Sequence, residues 1–339
     1  LDATTAAILD RYAALPETLP RRHRFTDGTM LRLAAIALAV ADLPADAHDR
    51  LEAAAEELKQ RGGWTDTASG PVRFVLAAMV VRRGLDAASV WPEVERTRAA
   101  MKARRLGGAR ATISAFLLVL AAEGRTPDEA MFDRMRAIFD GWKADHRWLT
   151  GADDVPMAAL HASRGEDPET VTERVESTYR ALHDLGYGRG DQLQLASHLL
   201  TVGRTSGVDA AQRFHRITEA LARQGLRIGR DRYDEAALLA VTPGDAEAVA
   251  GRALAVRERL LELRGGGLAA LFSGLTGDLA FSMAVGVVLA HHGAGGADGP
   301  DGTADAAALA LAQSALEAQQ AVLIASIAAT STVAATGGS

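Results

Sequence analysis

The sequence predicts an all-α protein of about seven αα-hairpins of roughly 40 residues each, arranged as a curved solenoid or a closed α/α toroid and finished by a C-terminal capping helix. Three observations carry this reading. Ala and Leu abound, aromatic residues are 5%, and β-branched runs are scarce before the last residues, a composition that favours helix over strand. Apolar stretches of one design recur along the chain. Five of them close on Gly84, Gly124, Gly165, Gly203 and Gly244, spaced by 40, 41, 38 and 41 residues, which is the period of paired-helix units.

Taken in order, the apolar stretches are "DGTMLRLAAIALAVAD" from Asp27, "DTASGPVRFVLAAMVVRRG" from Asp66, "GGARATISAFLLVLAAEG" from Gly107, "TGADDVPMAALHASRG" from Thr150, "GRGDQLQLASHLLTVG" from Gly188, "GRDRYDEAALLAVTPG" from Gly229 and "TGDLAFSMAVGVVLAHHG" from Thr276. Each is apolar almost all round, so it belongs inside. A more polar segment precedes each one, such as "TPDEAMFDRMRAIFDGWK" or "DPETVTERVESTYRALHD". In the first of these, Met131, Met135, Ile138 and Phe139 share a helical face, and Thr126 with Glu129 matches a capping box with Pro127 at the first helical position. These are the outer helices. The hairpins fall at about 2–42, 45–84, 86–124, 126–165, 167–203, 208–244 and 245–293. None buries its apolar face alone, so stacking builds the core, and the repeat domain spans 1–293.

A Gly/Asp-rich linker follows over 294–302, without the alternating acidic ligands and terminal Glu of a calcium loop. From 303 to 339 the chain reads as an Ala-rich helix with a frayed tail. That helix covers the last exposed face or joins two copies in a homo-oligomer.

Charge excludes one class of partner. With 37 Lys and Arg against 43 Asp and Glu, the net charge of -6 offers no general attraction to nucleic acid. Lys occurs only at Lys59, Lys102 and Lys143, so the abundant Arg reads as a habit of composition, not as phosphate recognition. The absence of cysteine excludes disulfides, thiolate metal sites and a cysteine nucleophile. No apolar run reaches the ~18 residues of a membrane span, so a cytoplasmic protein is expected.

Chemistry should gather where the inner helices begin. Asp27, Asp66, Asp153 with Asp154, Asp191, Asp231 with Asp234, and Asp278 stand there. N-capping accounts for a single Asp at such a position. It does not account for the doubled carboxylate of Asp153 and Asp154, which repel each other unless a cation or shared proton intervenes. Asp154 precedes His161 by seven residues and Asp191 precedes His198 by the same spacing, so the two histidines align on neighbouring inner helices. His161 and His198, with Asp154, are therefore the candidate ligands of a divalent metal or a proton-transfer pair, with Gln194 one turn before His198. The plain alternative is a pair of hydrogen-bonded core histidines. His146 and Trp148 stand in the loop beside the rim, and Tyr187 and Tyr233 flank inner-helix starts, where an aromatic lines a cavity or packs. His291 and His292 read as C-terminal caps of the last inner helix.

The segments "HRWLTGADDVPMAALHA" and "LGYGRGDQLQLASHLL" resemble the signature stretch of a bacterial family known as domain of unknown function four thousand and three, over roughly residues 20 to 290. The resemblance implies a helical cytoplasmic protein and brings no activity, cofactor or catalytic residue. Architecture then favours a binding or scaffold module that takes a small molecule, peptide or protein at its concave rim. The rival expectation is a metal-dependent or acid/base hydrolase-like enzyme with a central cavity lined by Asp153, Asp154, Asp191, His146 and His198.

Overall fold

The computed structural model describes residues 2–14, 28–40, 46–62, 70–108, 110–145, 151, 154–202, 207–263 and 275–294. Among them are fourteen α-helices and no strand. They are α1 (Ala3–Ala14), α2 (Gly28–Val40), α3 (Ala47–Arg61), α4 (Arg73–Arg82), α5 (Ala87–Ala103), α6 (Ala111–Ala121), α7 (Glu129–Asp145), α8 (Val155–Ser163), α9 (Pro168–Asp184), α10 (Asp191–Val202), α11 (Gly207–Arg223), α12 (Tyr233–Val241), α13 (Ala246–Leu263) and α14 (Gly277–Ala294), with a 3-10 turn at Arg230–Arg232 before α12. His146, Trp148, Asp153, Asp27, Asp66, the side chains of His291 and His292, and the segments 295–302 and 303–339 lie outside the described residues.

The helices pair in sequence order: α1 with α2, α3 with α4, and so on to α13 with α14. Beyond the pairs, α2 packs on α4, α6 on α8, α10 on α12 and α12 on α14, while α7, α9, α11 and α13 pack each on the next. The last helix also touches the first pair, since α14 packs against both α2 and α1.

Two kinds of helix follow from two patterns of burial. In the even-numbered set whole runs are inaccessible: 74–81 in α4, 112–120 in α6, 155–162 in α8 and 233–240 in α12. The odd-numbered helices bury one stripe at helical spacing, such as Val171, Val175, Thr178, Tyr179 and Leu182 in α9. Buried apolar side chains from Ile8 to Leu289 form one contiguous core. No described helix is long and apolar enough to cross a membrane.

Two local devices recur and neither matches the expected capping. Aspartates cap five of the odd-numbered helices, α1, α5, α7, α9 and α13: Asp2 accepts from the Thr5 N–H, Asp86 from Ser89, Asp128 from Met131, Asp167 from Thr170 and Asp245 from Glu247. The expected Thr126/Glu129 capping box does not form, because Thr126 turns both its N–H and its hydroxyl to Glu93 of α5, leaving Asp128 to cap α7. Along that helix the buried stripe takes Phe132 in place of Met131, followed by Met135, Ile138, Phe139 and Trp142. The second device is an arginine from an odd-numbered helix that donates to the last carbonyls of its partner. Arg11 reaches Ala39, Arg134 reaches Ala162, Arg174 reaches Thr201, and Arg213 reaches both Ala240 and Thr242. Each cation satisfies carbonyls that a helix end leaves unpaired and sits at the negative pole of its dipole. The turns end on left-handed glycines such as Gly84 at φ +67° and Gly165 at φ +72°, where a side chain would be strained.

Candidate functional site

The aspartate side chains that cap helices lie mostly on the odd-numbered ones, and at the start of α8 a carboxylate serves other partners. Asp154 shows this most directly. It occupies the N-cap position of α8, yet its backbone is already helical, φ -89° and ψ -9°, and its side chain makes no cap hydrogen bond. An N-cap residue ordinarily adopts an extended backbone to turn its oxygen back over the first N–H groups. Asp154 instead accepts from the Gly151 N–H on Oδ2 at 2.9 Å and from Gln194 Nε2 on Oδ1 at 3.3 Å. The same Oδ1 lies 3.7 Å from His198 Nε2. So the carboxylate joins α8 to α10, not to its own helix.

The two aligned histidines are both fully buried, at 0% exposure, and share a neighbour that sequence spacing did not single out. Trp142 of α7 has its ring 4.0 Å from that of His198 and 5.8 Å from that of His161, centroid to centroid. Each imidazole has a separate carboxylate. His198 faces Asp154, and His161 Nδ1 lies 3.6 Å from Glu166, just past the end of α8. Glu166 also pairs with Arg164 at 2.7 Å and Arg174 at 3.2 Å. Burial alone would raise the Glu166 carboxyl, but its contact with His161 and then Arg164 more than reverse this, holding it well below the usual carboxylate range, to about 2. Burial of His161 favours its neutral ring, and Glu166 only partly opposes that. An uncharged imidazole and a charged carboxylate satisfy both tendencies, with the two arginines supplying the compensating charge.

Among the described residues no three His, Cys, Asp or Glu side chains converge as a ligand set. Asp154 with His198 and Glu166 with His161 form two separate carboxylate–histidine contacts, and both imidazoles lie near the Trp142 ring. Asp191 is exposed in the first turn of α10 and stands apart from them. Tyr233 packs edge-on against Tyr187 and Phe214, at 5.4 and 5.8 Å, in a separate aromatic cluster.

Beside His198 a small half-open pocket, with room for about one water molecule, is lined by Trp142, Thr172, Val175, Glu176, Tyr179, Gln194 and His198. The four residues from α9 lie at i, i+3, i+4 and i+7, a single helical face. Gly141 lets that face approach α7: a Cβ at this position would meet Thr172 Oγ1 at 2.5 Å. A lone Trp among spaced apolar positions reads as core, so only the packing of α7 against α9 and α10 distinguishes Trp142.

A second polar cluster joins α12 to α14. Glu235 is 4% exposed, accepts from Arg232 Nε at 2.6 Å and from the Ser282 hydroxyl, and follows buried Asp234. Arg232 also reaches Asp278 at 3.1 Å and covers the Phe281 ring at 4.5 Å. Burial first, and then the neighbouring Asp234, push the Glu235 carboxyl up to about 7, against the pull of Arg232. "DE" in the first turn of a helix looks like ordinary dipole complementation, which is why the sequence does not reveal this carboxyl as buried.

These features define an all-helical protein in which the part-buried Asp154 carboxylate bridges α8 to α10 and the buried Glu235 carboxylate bridges α12 to α14. It belongs to the family described as "Protein of unknown function (DUF4003)", which matches residues 12–293. No curated protein and no solved structure matches the chain.

Proposed function

We propose that this chain is a small-ligand binding module, a closed α/α ring of seven hairpins that recognises its ligand at the seam between α8 and α10. The contacts of α14 with α1 and α2 support ring closure. The observation that carries the binding reading is the side chain of Asp154. A carboxylate at a helix start has an easy structural use as a cap; this one bypasses it to organise Gln194 and His198 beside an aromatic-lined pocket. Convergent polar groups in a mostly apolar recess are the usual form of a ligand site. The size of the recess favours a small molecule over the peptide or protein that a concave rim would also accommodate.

A thermal-shift screen of amino acids, amines, carboxylates, sugars and nucleosides tests this. At least one class should raise the melting temperature of the wild type, and His198→Phe should abolish that rise. A panel without any such compound sinks the reading.

A second reading, an acid/base or metal-dependent enzyme, draws on Glu235, whose carboxyl titrates near neutrality as a general acid or base must. The runs of buried side chains along α4, α6, α8 and α12 argue against the wide central cavity expected for it. Elemental analysis with a thermal-shift scan against Zn, Mn, Fe, Mg and Ca separates the two. A stoichiometric metal lost in both Asp154→Ala and His198→Ala would establish the metal enzyme.

A further inference from the structure

The polar cluster between α12 and α14 has the make-up of a nucleophilic site. We propose that Ser282 is a nucleophile towards small carboxylic esters, with Glu235 as its general base and Arg232 as the donor to the oxyanion; this develops the acid/base role of Glu235 and does not depend on the seam pocket. The first observation is the hydroxyl. A serine inside a helix ordinarily returns its hydroxyl to the carbonyl four residues back, as Ser114 does to Arg110 and Ser197 to Leu193. Ser282 has that carbonyl, of Asp278, at 3.2 Å, yet its closer acceptor is the Glu235 carboxylate of the neighbouring helix. The second is the orientation of the base: Arg232 Nε holds the other carboxylate oxygen at 2.6 Å, so Oε1 stays turned to the serine. Nucleophile, base and a third group that fixes the base are the arrangement that activates a hydroxyl. The third is access. Ser282 is partly exposed although Glu235 is buried, so the hydroxyl can be reached while its base stays shielded.

Arg232 has the donors that the reaction needs. Its Nη2 is buried and makes no hydrogen bond. Its Nη1 is held at 3.1 Å by Asp278, whose side chain is 86% exposed, and a pair with so exposed a partner contributes little. An ester carbonyl that displaces Asp278 is met by both donors of the fork. Ser282 Oγ then attacks the carbonyl carbon, its proton passes to Glu235 Oε1, and the negative charge moves from the carboxylate to the carbonyl oxygen, beside the same guanidinium. Collapse breaks the bond to the alkoxide, which leaves with the proton from Glu235, and the acyl group remains on Ser282. Water repeats the two proton transfers, releases the acid and restores the serine. Glu235, between the charges of Asp234 and Arg232 and with its carboxyl raised to about 7, can both take and return that proton near neutrality.

The experiment treats the full chain with p-nitrophenyl acetate and with a fluorophosphonate, which a nucleophilic serine attacks with loss of fluoride. Release of nitrophenol, intact mass and peptide mapping are followed. The expected result is a single acyl or phosphonyl group on the chain, mapped to Ser282 and formed faster as the pH rises through about 7. Ser282→Ala should abolish labelling and Glu235→Gln should slow it about a hundredfold or more, with circular dichroism and melting curves showing that both variants are folded. Should either variant fail to fold, mapping on the wild type decides. A wild type left unlabelled, or labelled only at other residues, overturns the proposal, and so does a Glu235→Gln chain labelled as fast as the wild type. The titration of Glu235 is read separately, from the pH dependence of unfolding, so an unlabelled Ser282 beside a Glu235 that titrates near neutrality removes the nucleophile and leaves the acid/base group.

Discussion

The role of Asp154 can be tested by exchanging it for serine, an N-cap residue of nearly equal quality. Were Asp154 a cap, Asp154→Ser would be almost neutral. Here the aspartate accepts from Gln194, whose residue is 3% exposed, and its Oδ1 faces the buried His198. Serine is too short to reach across to α10. The variant loses one hydrogen bond to a charged acceptor and leaves a buried amide N–H with a poorer partner, together worth about 1.5–3 kcal/mol. At the usual ~2 cal/mol/K of unfolding entropy per residue, a loss of about 2 kcal/mol in a chain of this length lowers the melting temperature by about 3 °C. Asp167→Ser is the matched control, because Asp167 does cap its helix, accepting the Thr170 N–H at 2.9 Å. Urea denaturation of the two variants beside the wild type measures the difference. If Asp154→Ser unfolds at the same midpoint as Asp167→Ser and the wild type, the interhelical role is wrong and Asp154 is a cap after all.

Three further outcomes are expected. Burial depresses the pKa of His161, so its contribution is present above the ordinary histidine range and is lost as the pH falls through it; Glu235, raised to about 7, contributes fully below the ordinary carboxylate range and loses that contribution as the pH rises through 7. Denaturation midpoints between pH 5 and 8 should therefore fall with pH in His161→Phe and rise with pH in Glu235→Gln, relative to the wild type; parallel profiles for all three would contradict the assignments. Arg213 donates to two carbonyls at the end of α12, so Arg213→Ala should cost about 2 kcal/mol and speed amide exchange there, and Arg213→Lys should recover less than half, since one ammonium lacks the guanidinium fork. Gly141→Ala should lower the melting temperature by driving its new methyl onto Thr172, and adding Thr172→Ala should restore most of the loss.

The sequence alone determined the helical class and the alternation of apolar and amphipathic helices, because both are periodic properties of local sequence. It also placed the breaks, since the glycines that close α4, α6, α8 and α12 stand where a left-handed residue is needed, as at Gly84 and Gly165. The alignment of His161 with His198 was legible from spacing, and both are buried at one seam. What spacing could not decide was each polar group's partner. An aspartate before a helix has the same local signature whether it caps that helix or reaches another, and only the helical backbone at Asp154 and the approach of Gln194 decide the matter. Trp142 and Glu166 were hidden for the same reason: one looks like any core aromatic, the other like any surface acid after a helix. Their neighbours lie on α8, α9 and α10, and contacts between helices far apart in the chain exist only once the tertiary packing has chosen which faces meet.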